Sequence, residues 1–201
     1  MRKWKSSNAA RLQPHHHDTV MTVRMLSPAI RSLGLLRTGV PCYSTRANRP
    51  LLGRFRSLPI ELFRVNNGLD VRLRDRAAQL KFGRRSFDLI VRDDGLVHPM
   101  LGDTFEGPNG ASMRPNSPYL SEIVANFAEE DAVIYRVAQG TPLPDELVVL
   151  HEHTEHYSVQ CSRPMPLPDL NRRVTEFFKE KGEMMGVFEF EERYPYMPKR
   201  P

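Results

Sequence analysis

The chain has 201 residues, 40% apolar and 26% charged, with 17 prolines and a net charge of +5. That length suits one domain plus appendages, and no apolar run approaches the roughly 20 residues needed to cross a bilayer. Eleven of the 29 Lys and Arg residues precede Glu61, with one acid, Asp18; the remaining 18 basic and 23 acidic residues make the body acidic, so no nucleic-acid partner is expected.

The first 57 residues read as a basic leader without a folded core. From Met21 to Arg46 the stretch is rich in Arg, Ser and Leu and has no acid. Leu26, Ile30 and Leu33 share one helical face, with Arg24 and Arg31 roughly opposite. These are the features of a mitochondrial presequence, with Tyr43-Ser44 as the cleavage point and Met21 or Met25 as alternative starts. The alternative is a basic tail with no specific role, since Pro28 and Gly34 interrupt the helix; the protein would then be cytoplasmic. Of the two cysteines, Cys42 lies in this leader and Cys161 in the body. Removal of the leader leaves no intrachain disulfide, which suits a reducing compartment.

The body, 58–182, opens with Ile60 to Val65, a strand ended by the turn Asn66-Asn67-Gly68. Leu69 to Phe82 has no clear period. Phe87 to Val91 is apolar and ends at Asp93-Asp94-Gly95. Gly102 to Pro118 reads as loop. Ser117 before Pro118 signals a helix start, followed by Leu120, Ile123, Val124 and Phe127 at helical spacing. Ala132 to Val137 is a strand closed by Gly140-Thr141-Pro142, and Leu147 to Leu150 and Tyr157 to Cys161 are two more. A last helix runs from about Asp169 to Lys181, with an apolar stripe of Leu170, Val174, Phe177 and Phe178 and a stop at Gly182. The tail, 183–201, either adds an edge strand or is loose. Strands outnumber helices without regular alternation, which predicts an α+β domain with an antiparallel or mixed sheet. There is no GxGxxG, so a Rossmann-type cofactor site has no support.

Arg64 stands among apolar residues of the first strand, where a guanidinium needs an anion. A pyrophosphate or carboxylate ligand satisfies that need; so does a protein carboxylate, or an edge position facing water. The Gly107 to Arg114 loop offers backbone donors and the hydroxyl of Ser112, suited to close ligand approach or to an ordinary surface loop. His151-Glu152-His153-Thr154-Glu155-His156 is the densest ionisable cluster. It is not HExxH, and it reads as a solvated connection between strands; a metal site there requires three of its residues at ligand distances, and no metal is assigned. His156, directly before Tyr157-Ser158-Val159, is expected to face a cleft or the interior.

The order of these segments resembles the type VI secretion exported effector two toxins. A Leu-Tyr-Arg strand is matched by Leu62-Phe63-Arg64, an Asp-Gly-Leu turn by Asp94-Gly95-Leu96, and a Gly-rich loop ending in a small residue and Ser by Gly110-Ala111-Ser112. A Gly-Thr-x-x-Pro-x-x-Leu segment is matched by Gly140 to Leu147, a His-Tyr-Thr-Ile strand by His156-Tyr157-Ser158-Val159, and a Pro-Met pair with its following helix by Pro164-Met165 and Asp169 to Lys181. The resemblance implies an ADP-ribosyltransferase fold, a split antiparallel β-sandwich around an NAD cleft. It implies that NAD is the co-substrate and that ADP-ribose passes to a macromolecular target, or to water. It implies an immunity-type inhibitor protein as a partner. Arg64, Ser112 and His156 become the implied catalytic residues, and these three with Tyr157 the NAD contacts; Tyr157, next along the strand, is expected on the opposite face. The glutamate that stabilises the ribose cation in many such enzymes has no match, although Glu152 and Glu155 lie near. A non-catalytic NAD- or protein-binding module that keeps the fold is the alternative.

Overall fold

A computed structural model describes residues 49–127 and 131–195. Residues 1–48, which hold the presequence features and Cys42, lie outside the described residues. In chain order the elements are β1 (Arg49–Pro50), β2 (Gly53–Phe55), β3 (Leu62–Asn67), α1 (Arg76–Lys81), β4 (Leu96–Val97), β5 (Thr104–Phe105), β6 (Ala111–Met113), α2 (Pro118–Ala125), β7 (Ala132–Val137), β8 (Leu147–His153), β9 (His156–Cys161), β10 (Met165–Pro166), α3 (Leu167–Lys181), β11 (Glu183–Gly186) and α4 (Val187–Arg193). This is an α+β architecture with antiparallel sheets. No helix of the described residues is long and apolar enough to cross a membrane.

Two sheets carry the fold, in the orders β11-β7-β3 and β2-β8-β9-β6. They meet where β3 passes the end of β6. There the Phe63 amide donates to the Arg114 carbonyl at 2.7 Å and the Arg114 amide returns a bond to Phe63 at 2.9 Å. Arg64 and Ser112 stand next to this junction, so the joint between the sheets positions the site.

Both faces of β3 are buried because its side chains alternate between two cores. Leu62 joins the larger one with Leu147, Val149, Phe177 and Phe178 under α3. Phe63 joins a second, with Leu120, Ile134, Met185 and Phe190. The four-residue stripe of α3 (Leu170, Val174, Phe177, Phe178) is fully covered. Ser117 caps α2 by accepting from the Leu120 amide at 3.1 Å, with Pro118 in the first turn.

The folded region extends beyond 58–182 at both ends. β2 pairs with β8 through Gly53 to Phe55, inside the segment read as leader. At the other end β11 pairs with β7, and α4 buries Phe190 in the second core. These segments are too short for a recognisable period. The Gly102 to Pro118 stretch is not all loop, since β5 and β6 lie within it. Phe87 to Val91 is held by isolated bridges rather than in a strand, and Leu69 to Phe82 contains α1, capped by Asp75 and burying none of its residues.

Candidate functional site

A cavity of about 960 Å³ opens beside β3 and β6. Arg64, Ser112 and Arg114 line it from these strands, and Arg72, Arg74, Arg84 and Arg85 line it from the segment around α1. The acids that line it are Asp70, Asp88 and Asp131, and two of them are engaged. Asp88 accepts both forks of Arg74, at 2.8 and 2.9 Å, and Asp70 pairs with Lys179 at 2.6 Å. The lining is therefore rich in positive charge, in a body whose composition is acidic.

Arg64 is the most unusual group here. It is 9% exposed, and no carboxylate of the described residues lies at ion-pair distance. Its Nε donates to Asn66 Oδ1 at 3.2 Å and its Nη1 to the Ser112 carbonyl at 3.1 Å. Asn66 is turned by its own amide nitrogen, which donates to the carbonyls of Gly68 (2.8 Å) and Asp70 (3.1 Å) at the turn ending β3. Burial pushes the guanidinium down to about 10; the Asp88 charge acts against this and the Arg74 charge adds to it. At neutral pH the group stays charged. Keeping a cation there costs on the order of 3 kcal/mol, which an anion in the cavity would offset.

Behind Ser112 lies a second polar cluster. Ser112 Oγ is 3.0 Å from His156 Nε2, and His156 Nδ1 is 2.6 Å from Glu152 Oε2. Glu152 has no exposed surface. Its other oxygen accepts from Ser158 Oγ at 2.6 Å and Gln160 Nε2 at 3.1 Å. Gly110, before β6, abuts the Val159 carbonyl with no room for a Cβ. Its missing side chain thus serves the packing of β6 on β9 rather than the approach of a ligand.

Arg64, Ser112 and His156 thus meet at one point, with Ser112 bonded to both others through different atoms. Tyr157 does not join them. It faces the larger core and stacks on His151 with ring centroids 4.1 Å apart, because consecutive residues of a strand point to opposite faces. Glu155 lies 3.9 Å from Arg114, a cavity residue, and so stands near the rim.

The histidine-rich hairpin is not a solvated connection. Its polar residues turn inward at Glu152 because His156, Ser158 and Gln160 on β9 supply a polar buried face. Thr154 at its tip has φ +40, a conformation unusual for a β-branched residue, and this tight turn folds His156 back onto Glu152. Glu152, His153 and His156 each bring a ligating atom within 4.8 Å of the others. The spacing is open to a cation, but an ion there would have to replace the Glu152–His156 hydrogen bond.

The family described as Tse2 ADP-ribosyltransferase toxin matches residues 60–190, well over half of the chain. The chain belongs to the Tse2 ADP-ribosyltransferase toxin family. No curated protein matches it. The matched Tse2 region begins just before β3 and ends within α4, so it takes in the Arg64 cavity and the Glu152 cluster, and it includes the tail strand β11. Sequence reasoning missed Glu152 as a buried residue and the arginines around α1 as cavity lining.

Proposed function

We propose that this protein transfers ADP-ribose from NAD to a macromolecular target, with NAD bound in the Arg64 cavity, and that the two sheets joined at Phe63 and Arg114 are the halves of a split antiparallel sandwich. The observation that carries the reading is Arg64: a buried, charged guanidinium without a carboxylate, lining a cavity bordered by further arginines. Its planar fork suits a pyrophosphate oxygen pair, and the surrounding positive lining attracts a dianion. Family membership supplies the reaction class.

In this reading Arg64 holds the NAD phosphates or the nicotinamide ribose. Ser112 braces Arg64 through its carbonyl and turns its hydroxyl toward the ribose. His156 orients that hydroxyl. Tyr157 supports the site through the core rather than by contact with NAD. In the transition state the C1′–nitrogen bond of the nicotinamide ribose breaks and positive charge develops on the sugar. An immunity-type inhibitor protein that covers the cavity mouth would block this reaction. The leader reading, with a mitochondrial destination, stays separate from the chemistry.

The test is nicotinamide release from NAD by the full chain, beside an Arg64→Ala, His156→Ala double variant. Release by the parent and loss of at least roughly 100-fold in the folded variant supports the enzyme reading. Equal release by both removes Arg64 and His156 from the site. NAD binding without release by the parent favours the non-catalytic module.

A further inference from the structure

The cluster behind Ser112 is a chain of ordered donors and acceptors. Asn109 Nδ2 donates to the His98 carbonyl at 2.9 Å and to Gln160 Oε1 at 2.9 Å. Gln160 is thereby turned so that its Nε2 points at Glu152 (3.1 Å) and Ser158 (2.8 Å). Ser158 Oγ, accepting from Gln160, gives its own proton to Glu152 Oε1. That oxygen has two donors, and Oε2 is left for His156 Nδ1. A carboxylate oxygen accepts, so with Oε1 taken by Ser158 and Gln160 the Oε2 contact assigns the hydrogen to Nδ1. Nε2 then presents its lone pair to the hydroxyl of Ser112. His156 does not line the cavity, whereas Ser112 does. Ser112 Oγ is thus the contact that joins His156 to the cavity.

We propose that Glu152, His156 and Ser112 form a proton relay that acts as the general base of the transfer, and that the acceptor it serves is a neutral hydroxyl. The proposal rests on the NAD reading above. It assigns a different task to the carboxylate of this site: Glu152 is a positioning residue acting through His156, not a group set against the ribose. Ser112 is the member that touches the acceptor.

The step balances. The acceptor oxygen bonds to C1′ of the nicotinamide ribose as the C1′–nitrogen bond breaks, and nicotinamide departs with the electron pair. The acceptor's proton moves to Ser112 Oγ while the Ser112 proton moves to His156 Nε2. The imidazolium so formed is stabilised by Glu152 at 2.6 Å and later returns its proton to solvent. A carboxylate or thiolate acceptor would gain nothing from this relay because it carries no proton to lose. A hydroxyl does carry one, and so does water, which makes NAD hydrolysis the reaction without a target.

Azide separates the base from every other role, because it is an anion that needs no deprotonation. The full chain and its Glu152→Gln and Ser112→Ala variants are given NAD with either methanol or sodium azide. Nicotinamide and the ADP-ribosyl products are measured, and NAD binding is titrated for each protein. The parent is expected to form methyl ADP-ribose. Glu152→Gln should bind NAD as the parent does, and both variants should lose methanolysis by roughly 100-fold, the usual worth of a general base. Azide should restore nicotinamide release in both and yield ADP-ribosyl azide. Methanolysis unchanged in Glu152→Gln overturns the relay. A loss that azide does not repair, in a variant that still binds NAD, also overturns it, because the network then serves the ribose cation or the fold. A parent that neither binds NAD nor releases nicotinamide to either nucleophile fails the NAD reading, and the relay falls with it.

Discussion

Arg136 on β7 lies between Glu61 at 2.5 Å and Glu183 at 2.9 Å, while Arg64 on the neighbouring strand β3 meets two neutral oxygens and no carboxylate of the described residues. The two strands are paired, and Arg64 stands opposite Tyr135, next to Arg136. Their environments push the guanidinium in opposite directions. The Glu61 and Glu183 hydrogen bonds raise Arg136, whereas burial lowers Arg64 to about 10. Arg136 is half-exposed and stitches β11 to the sheet; its partners come with the fold. Arg64 is buried, and the fold supplies it with a cavity instead of a partner. In charge balance Arg136 is satisfied by the fold, whereas Arg64 is the arginine proposed to meet a ligand.

The largest effect is expected for Arg64→Met. Nicotinamide release should fall by at least roughly 100-fold, while unfolding in urea should be unchanged or shifted to higher stability, because a buried cation without a counter-ion is removed. A large loss of stability would make Arg64 structural. The same change at Arg136 should reverse the pattern: activity retained, and stability lowered by about 1 kcal/mol, the usual scale for part-exposed ion pairs.

Glu183 sharpens the structural side through pH. Its hydrogen bonds to Arg193 and Arg136 hold its carboxyl below the ordinary value. The stability it contributes is therefore present above the unfolded pKa, near 4.5, and is lost as pH falls through the lower folded value. Glu183→Gln should lower the melting temperature slightly above about pH 5, and the difference from the parent should vanish as pH falls through the acid limb. The smallest effect is expected at Thr154. Replacing it with Gly relieves the positive φ but adds backbone freedom, so unfolding should change by less than about 1 kcal/mol.

The sequence exposes these parts unequally, for physical reasons. The α3 stripe is legible because fifteen residues repeat one apolar face, and α2 because Ser117-Pro118 marks its start. α1 is hidden because its six residues bury nothing and so leave no period. β11 and α4 are hidden because Met184 and Phe188 are exposed beside the buried Met185 and Phe190, which blurs the alternation. At the site, Arg64 is visible as a charge inside an apolar strand. Glu152 is not, because hydropathy places a carboxylate among histidines in solvent. A usable signal was present on β9: His156, Ser158 and Gln160 alternate with Tyr157, Val159 and Cys161. A polar face on a strand otherwise bound for the core requires a buried partner, and Glu152 is that partner. Pairing of β6 with β9, which brings Ser112 to His156, is a long-range contact that no local pattern encodes.

In the proposed function the cavity around Arg64 holds the anionic body of NAD. Calorimetric titration of the full chain with NAD, beside the folded Arg64→Met variant, tests it most directly. Saturable binding by the parent is expected, weakening with added salt and falling by at least roughly tenfold in the variant, as the loss of a charged hydrogen-bonding partner requires. Equal affinity in the two proteins, or no binding by the parent, would contradict it.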